Sequence, residues 1–310
     1  MLLRCKNTAV CLEVVVEDPE GLYESLSSDF SRRYLPPLEA SGECRSVGAR
    51  VYWLSGSGFE VLASAYSDYS PDTYVVAGEY PEAYVNEAPV FFMLQVLARA
   101  LAREGYVLVT DSVAVDLGGR AVLFLGFPHT GKSTISAIAA DRGYRVLSTE
   151  NTIVKPSASG LLVYGGTRVL VFDPRIRELY GVRLESTKKT KHGYEVVDLD
   201  ALHEPLEEPL LVSEIYLLYT SFSSYGVSVV PIRGRKAGKL AWHFAVSLLK
   251  GLDYYEPAPL DMPLAGPVRA SVEGFVKAVV EGYSGRFYEV FGSPLEVFNY
   301  VARQGPPGTS

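Results

Sequence analysis

The sequence G-F-P-H-T-G-K-S-T at residues 126–134 decides the fold predicted for this chain, because it fits the phosphate-loop pattern G-x-x-x-x-G-K-[ST]. An apolar segment of strand length, residues 120–125, precedes it. After it, Ile135, Ile138 and Ala139 recur at helical spacing. A strand that enters a tight loop and leaves through a helix N-terminus surrounds an anion with backbone N–H groups and the positive end of a helix dipole. The pattern therefore predicts a loop that binds nucleotide phosphates.

Every residue of this loop is a candidate ligand contact. We expect Lys132 to reach the β- and γ-phosphates and the Ser133 hydroxyl to bind magnesium. The predicted nucleotide-binding residues are Gly126, Phe127, Pro128, His129, Thr130, Gly131, Lys132, Ser133 and Thr134. His129 could donate to a phosphate oxygen or titrate near neutral pH; the alternative is an exposed histidine with no role. For the stretch as a whole the alternative is a glycine-rich turn with an exposed lysine.

Length and composition limit the classes of function. The chain has 310 residues, 48% of them apolar, which suffices for a large core in one or two domains. Its formal charge of −7 argues against broad nucleic-acid binding. No apolar run approaches the roughly 18 residues of a membrane span, and no leader sequence is recognised at the N-terminus, so we expect a soluble cytoplasmic protein. The many tyrosines, few methionines and arginine-leaning charges are typical of a thermophile.

The three cysteines, Cys5, Cys11 and Cys44, lie outside the phosphate-loop half and have no C-x-x-C spacing. This predicts neither a zinc site nor redox chemistry. Buried thiols are the favoured interpretation, and a Cys5–Cys11 disulfide is the alternative.

The first 86 residues are predicted to form a small α+β domain, followed by a phosphate-loop domain over residues 87–304 and a flexible tail at residues 305–310. Within the first domain we expect a strand at 12–16 and a helix from Pro19 to about Arg33. An antiparallel layer is predicted from apolar segments separated by turn residues, at 47–54, 59–65 and 73–76. Periodic apolar residues predict a helix over 87–103.

Two acidic residues flank the loop segment. A short strand at residues 144–147 is followed by Glu150, which is where a magnesium-binding carboxylate opposite Ser133 is expected. The alternative is a solvated carboxylate at a strand end. Asp111 precedes the strand pair that leads to the loop, and an aspartate that follows Thr110 is typical of a turn.

These segments together resemble the catalytic domain of HPr kinase/phosphorylase and the wider set of HPr-kinase-like P-loop proteins, over roughly residues 91–303. The resemblance is carried by T-D-S-V-A-V-D at 110–116, by the loop itself, and by R-G-Y-R-V-L-S-T-E-N at 142–151. It implies an α/β P-loop kinase domain related to the phosphoenolpyruvate carboxykinase type, with a mixed sheet, ATP and Mg²⁺.

The sequence departs from that family at its acid and base positions. Asp111 aligns with the family's catalytic histidine, and Thr149 and Glu150 align with its paired acids, so one carboxylate is missing. The resemblance thus makes Asp111 a candidate base near the γ-phosphate or a group that helps to hold magnesium, and the alternative is a turn-forming residue. His129 stands where a flexible glycine is usual. The phosphorylase activity and the recognition of the HPr protein are therefore not carried over.

The resulting expectation is an ATP- and magnesium-dependent phosphotransferase that acts on a hydroxyl, of a small molecule rather than a protein. Its candidate catalytic residues are Asp111, Lys132 and Glu150, and its metal ligands are Ser133 and Glu150. The alternative is a nucleotide-binding regulatory or scaffold protein that has lost catalysis. No membrane partner is expected, nucleic acid is disfavoured, and a homo-oligomer is left open. The positions Arg168, Arg175 and residues 188–191 are candidate anion contacts or solvated charges.

Overall fold

The computed structural model describes residues 1–204, 206–251 and 260–304 as a mixed α/β protein. The chain divides into two compact units, the first comprising residues 1–108 and 245–275 and the second residues 109–244 and 276–310. The α/β class is thus as predicted, whereas the predicted tail at 305–310 lies outside the described residues. The division also differs from the predicted boundary at residue 86, because the segment after it and a later segment both pack into the first unit.

The first unit is built on a six-stranded sheet. Its strands are β1 (Leu2–Cys5), β2 (Val10–Val15), β3 (Leu38–Ser41), β4 (Ser46–Leu54), β5 (Phe59–Ala65) and β6 (Asp72–Gly78), and β7 (Val107–Val109) lies at the unit boundary. The strand order is β3-β1-β2-β4-β6-β5, and β2, β4 and β6 are mutually parallel. The predicted antiparallel layer is therefore wrong in part: β5 pairs antiparallel with β6, but β4 and β6 run in the same direction.

The first unit contains the helices α1 (Pro19–Leu26), α2 (Asp29–Tyr34) and α3 (Ala88–Arg103). The single helix predicted from Pro19 to Arg33 is two helices, because Ser28 accepts a hydrogen bond from the Ser31 N–H and starts a second one. The predicted helix α3 is confirmed. It packs closely on β4, where a side chain at Gly48 would lie 2.7 Å from the Ala100 Cβ.

Two cysteines of the first unit form a disulfide, Cys11–Cys44, with their Cα atoms 6.2 Å apart. The predicted buried thiol is found only at Cys5, and the alternative pairing of Cys5 with Cys11 is also wrong. The pairing follows from tertiary structure: Cys11 lies opposite Val47 across the β2–β4 pair, which brings the preceding loop with Cys44 alongside.

The second unit contains the predicted phosphate-loop region. Its strands are β8 (Ser112–Asp116), β9 (Ala121–Leu125), β10 (Arg145–Ser148), β11 (Thr152–Ser157), β12 (Gly160–Gly166), β13 (Val169–Phe172), β14 (Lys188–Lys189), β15 (Glu195–Asp198), β16 (Leu210–Thr220), β17 (Val227–Pro231) and β18 (Phe287–Gly292). Its helices are α4 (Lys132–Asp141), α5 (Ile176–Tyr180) and α8 (Pro294–Arg303), and a 3₁₀ turn covers Leu199–Ala201. Two long helices, α6 (Gly234–Lys250) and α7 (Gly266–Gly282), contain residues of both units.

The main sheet of the second unit is mixed, as predicted. Its strands follow the order β10-β8-β9-β16-β12-β11, and β18 pairs with β16 and β17. The strands β9, β16 and β18 run parallel, and β8 runs antiparallel to β9. A separate small sheet has the order β13-β15-β14. Apolar side chains of α4, α8, β8 and β9 bury one another in a continuous core.

None of the helices within the described ranges is long and apolar enough to cross a bilayer.

Candidate nucleotide site

The candidate site lies at one edge of the main sheet of the second unit, where several strand ends meet. β9 enters the loop at this edge, and β8 starts there because Ser112 pairs with Leu125. β10 ends at the same edge, since Ser148 pairs with Ala114. The parallel strands β16 and β18 end there too. Ligands of open α/β sheets bind outside the carboxyl ends of the strands, so this edge is where the fold favours a ligand.

The loop between β9 and α4 is closely packed at its two glycines. A Cβ on Gly126 would lie 2.2 Å from the Thr130 Oγ1, and one on Gly131 would lie 2.1 Å from the Thr220 Oγ1. Gly131 also has a φ of +95°, which only glycine adopts without strain. Both glycines of the sequence pattern are therefore required by the backbone that they form.

Strand β16 holds the outer side of the loop. The hydroxyl of Thr220, its last residue, donates to the Thr130 carbonyl at 2.6 Å. Inside the loop, the Thr130 hydroxyl donates to the Phe127 carbonyl at 2.7 Å. Sequence reasoning did not find Thr220, because only the parallel pairing of β9 with β16 places its end against the loop.

His129 lies at the exposed tip of the loop with a φ of +63°. This left-handed conformation is the one that glycine adopts most easily, which gives a physical reason for the glycine usual at this position in the resembled family. A histidine here strains the backbone modestly. No described contact directs this exposed side chain toward the position of a bound phosphate.

Lys132 is buried and directed back into the loop. Its Nζ lies 2.6 Å from the Asp111 Oδ1, 2.5 Å from the Gly126 carbonyl and 3.2 Å from the Phe127 carbonyl. The three ammonium protons thus have three acceptors. Only 6% of Lys132 and 7% of Asp111 are exposed, so the pair is shielded from solvent and its attraction is stronger than at a surface. Lys132 is therefore not the exposed lysine that the alternative of a glycine-rich turn required.

Asp111 combines a strained backbone with a central position. Its φ is +50°, unusual for a residue with a side chain, and its carbonyl accepts a hydrogen bond from the Gly126 N–H at 3.1 Å. The carboxylate and the backbone of this residue therefore both contact the loop segment. Aspartate tolerates the left-handed region better than most residues do, and strain of this kind is concentrated at functional sites.

Glu150 is held beside Asp111 by main-chain contacts. Its carbonyl accepts a hydrogen bond from the N–H of Ser112, the next residue along from Asp111, at 2.9 Å. Its own N–H donates to the Thr167 hydroxyl at 2.8 Å. The same hydroxyl accepts from the N–H groups of Thr149 and Asn151, at 3.3 and 3.1 Å. One buried threonine oxygen thus fixes the turn that carries Glu150.

Thr149, the residue before Glu150, is turned into the protein. Its hydroxyl donates to the Val169 carbonyl at 3.0 Å and lies 3.1 Å from the Thr167 hydroxyl. The turn is also packed against Gly166, where a Cβ would lie 2.1 Å from the Asn151 carbonyl oxygen. This threonine therefore stabilises the turn that carries Glu150.

The residues present suit a magnesium ion held together with a phosphate. Ser133 and Glu150 are both half-buried at this edge. The described part of the chain contains no group of three or more histidine, cysteine or acidic side chains arranged to hold a metal. Magnesium in nucleotide sites takes one or two protein oxygens and completes its shell with phosphate and water, so a hydroxyl and one carboxylate are a sufficient donor set.

The other residues predicted as candidate anion contacts include Arg168 and residues 188–191. Arg168 is buried, and its guanidinium donates to the Leu199 and His203 carbonyls and to Asp200. It is a structural residue. Residues 188–191 lie on and after the short strand β14, largely exposed.

Arg175 lies next to an exposed aromatic ring. Its Nε donates to both carboxylate oxygens of Asp173, at 3.0 and 2.8 Å, and its guanidinium carbon lies 5.7 Å from the centre of the Phe222 ring. The guanidinium hydrogen bonds hold the pKa of Asp173 below its usual value. Neither Phe222 nor the grouping was predicted, because the partners come from separate segments.

Comparison of the sequence with protein-family models and with curated proteins finds no match to either.

Proposed function

We propose that the second unit binds ATP with Mg²⁺ and transfers the γ-phosphoryl group to a hydroxyl of a small molecule. The observation that carries the proposal is the contact of Lys132 with Asp111 at 2.6 Å on a glycine-constrained loop at the carboxyl end of β9. This puts a cation for phosphate oxygens and a carboxylate for a hydroxyl proton at one point. Phosphoryl transfer depends mainly on such positioning and charge stabilisation.

In this mechanism Lys132 exchanges its loop carbonyls for the β- and γ-phosphate oxygens. The acceptor oxygen forms a bond to the γ-phosphorus while the bond from that phosphorus to the bridging oxygen of ADP breaks. Asp111 takes the proton that the acceptor hydroxyl loses. Magnesium, bound by Ser133 and Glu150, would neutralise charge on the phosphates.

The test is a coupled assay of ADP formation with purified protein, ATP, Mg²⁺ and a panel of hydroxyl-bearing metabolites. Lys132→Met should lower the rate on any active acceptor by about 100-fold or more, because it removes a charge aimed at the transferred group. Asp111→Asn should lower it by about 100- to 10,000-fold, because the amide keeps the left-handed backbone but accepts no proton.

Matched controls are available in the same unit. Asp116→Asn alters the opposite end of β8, where the carboxylate pairs with Arg145. Lys239→Met alters an exposed lysine on α6. Both should keep the full rate. Unchanged rates in Lys132→Met and Asp111→Asn together would contradict the mechanism.

A second candidate is a nucleotide-binding protein without transfer activity. The observation in its favour is Thr149, whose hydroxyl is used within the protein at the position where the resembled family has an acid. Calorimetric binding of ATP by the wild type, with no ADP formed on any acceptor and no slow hydrolysis, would favour this candidate over the kinase.

A further inference from the structure

The structure assigns a binding place for the nucleobase to Phe222 and Arg175, which we call the aromatic platform. The inference rests on the proposed nucleotide binding at residues 126–134 and extends it to the part of the ligand that the phosphate loop does not contact.

The aromatic platform is tied directly to the phosphate loop. Phe222 follows Thr220 by two residues, and the Thr220 hydroxyl donates to the Thr130 carbonyl at 2.6 Å. Two residues of extended chain span about 7 Å. Phe222 therefore lies within the distance that separates a base from the phosphates of its own nucleotide.

The platform also lies on the correct side of the loop. In the sheet order β10-β8-β9-β16, the turn with Glu150 follows β10 on one side of the loop strand, and Phe222 follows β16 on the other. The carboxylate side is occupied by the groups proposed for magnesium and for the acceptor proton. The base must leave in the opposite direction, toward the end of β16.

The chemistry of the platform suits a planar, uncharged ring. Phe222 is 42% exposed although it is a large apolar residue. The Arg175 guanidinium rests near its ring and is held by Asp173, so it presents a flat surface of fixed orientation with its side chain 69% exposed. Bases stack on aromatic rings and on guanidinium planes.

A polar group with unmet hydrogen-bonding capacity adjoins the platform. Tyr180 lies 6.1 Å from Phe222 between ring centres. Its hydroxyl is buried and has no hydrogen-bond partner among the described residues. Burial and the nearby charge of Glu296 raise the pKa of this hydroxyl, so it stays protonated and can donate. Buried orphan groups of this kind are uncommon in stable proteins, and the edge of a base offers the missing acceptor.

An open cleft begins four residues beyond Phe222 along the chain. The segment that carries Phe222 continues to Gly226 and Val227, which line a cleft of about 430 Å³ against α8. Glu296, whose charge acts on Tyr180, lines the same cleft. The larger double ring of a purine would use the stacking surface best.

The experiment compares MgATP with inorganic tripolyphosphate, which has the phosphates but no base, by calorimetry on the full chain. Phe222→Ala should weaken MgATP binding by roughly 10- to 100-fold, the usual loss of one stacking partner, and leave tripolyphosphate binding unchanged. Arg175→Ala should act in the same direction with a smaller loss. Lys132→Met should weaken both ligands.

Phe291→Ala is the matched control, because Phe291 is 41% exposed and stacks on Tyr219 instead of on an arginine. It should leave both affinities unchanged. Equal MgATP affinities of Phe222→Ala and wild type would overturn the platform while leaving the proposed function standing. A parallel loss of tripolyphosphate binding in Phe222→Ala would also overturn it, since the effect would then be on the loop. A wild type that binds neither ligand would overturn both proposals.

Discussion

Each unit of the chain has a buried ion pair, and the two pairs differ in their surroundings. In the first unit Arg99 donates to Asp72 at 2.7 Å and also to the Pro263 carbonyl, while Arg103 contacts the other oxygen of Asp72 at 3.0 Å. In the second unit Lys132 contacts Asp111 at 2.6 Å. Both pairs are nearly excluded from solvent.

The partners around each pair distinguish structure from a candidate site. Asp72 starts β6 and also accepts from the Ser67 N–H, so its carboxylate has fixed donors on every side. Asp111 itself has a strained backbone and lies where the strands end. Its lysine partner is otherwise bound to carbonyls of the loop. Those carbonyls can be exchanged for ligand oxygens without disturbing a strand. We infer that the Asp72 pair stabilises the first unit and that the Asp111 pair is retained for a ligand.

The largest effect on stability is expected for Arg99→Leu. The substitution leaves Asp72 buried with one cationic partner fewer and the Pro263 carbonyl without its donor, so the free energy of unfolding should fall by about 3–5 kcal/mol. Urea denaturation measures this. Arg50→Leu, which breaks the half-exposed pair with Glu13 in the same unit, should change it far less. Equal effects of the two substitutions would remove the basis for calling the Asp72 pair structural.

A double substitution should separate function from stability at the other pair. Lys132→Met alone leaves the Asp111 carboxylate buried and unpaired, and should lower the free energy of unfolding by about 3 kcal/mol. Adding Asp111→Asn removes that charge and should restore stability to within about 1 kcal/mol of the wild type, because a buried pair is often replaced by neutral groups without loss. Nucleotide binding should remain lost in the double variant. Recovery of MgATP binding, followed by calorimetry, would show that the pair does not serve the ligand.

A smaller effect is expected for Gly131→Ala. The added Cβ would lie 2.1 Å from the Thr220 hydroxyl, and the alanine would have to adopt a left-handed backbone conformation. We therefore expect the free energy of unfolding to fall by about 2–3 kcal/mol and nucleotide binding to weaken. The control is Gly143→Ala, which has a φ of +78° with open space around the new methyl group and should lose only about 1 kcal/mol. If thermal unfolding gives the same loss for both, contact with β16 does not constrain the loop.

The smallest effect concerns Glu195, a structural carboxylate in the second unit. A hydrogen bond from Arg177 lowers the pKa of Glu195 below its ordinary value of 4.5. A lowered pKa contributes stability above the unfolded pKa and loses it as the pH falls through the folded one. The stability difference between wild type and Glu195→Gln, about 1 kcal/mol at pH 7, should therefore shrink below about pH 4.5. A difference that stays constant from pH 7 to pH 3 in urea titrations would argue against this pair.

Local patterns predicted the elements around the loop well. The apolar run before residue 126 forms β9, the periodic residues after it form the buried face of α4, and the strand predicted at 144–147 is β10 within one residue. These elements are decided by short-range propensity and by which residues can be buried, and both properties can be predicted from residues that are close together in the sequence. The loop glycines are readable for the same reason, because the required backbone leaves few other residues possible.

Strand pairing could not be predicted from local patterns. The parallel direction of β2, β4 and β6, the Cys11–Cys44 disulfide and the inclusion of residues 245–275 in the first unit all depend on contacts between distant segments. The same holds for Thr167, which fixes the turn with Glu150 from 17 residues away in sequence.

The sequence by itself determined that a glycine-constrained loop joins β9 to α4, and it predicted Asp111, Lys132 and Glu150 as the charged residues that would serve a phosphate there. Only the tertiary structure decided that Lys132 is directed onto Asp111, that Thr149 is turned inward, and that Thr220 is hydrogen-bonded to the loop. The physical reason is that a local pattern fixes which backbone conformations a segment can adopt. Which side chains meet across the edge of a sheet depends on the order and direction in which its strands pair.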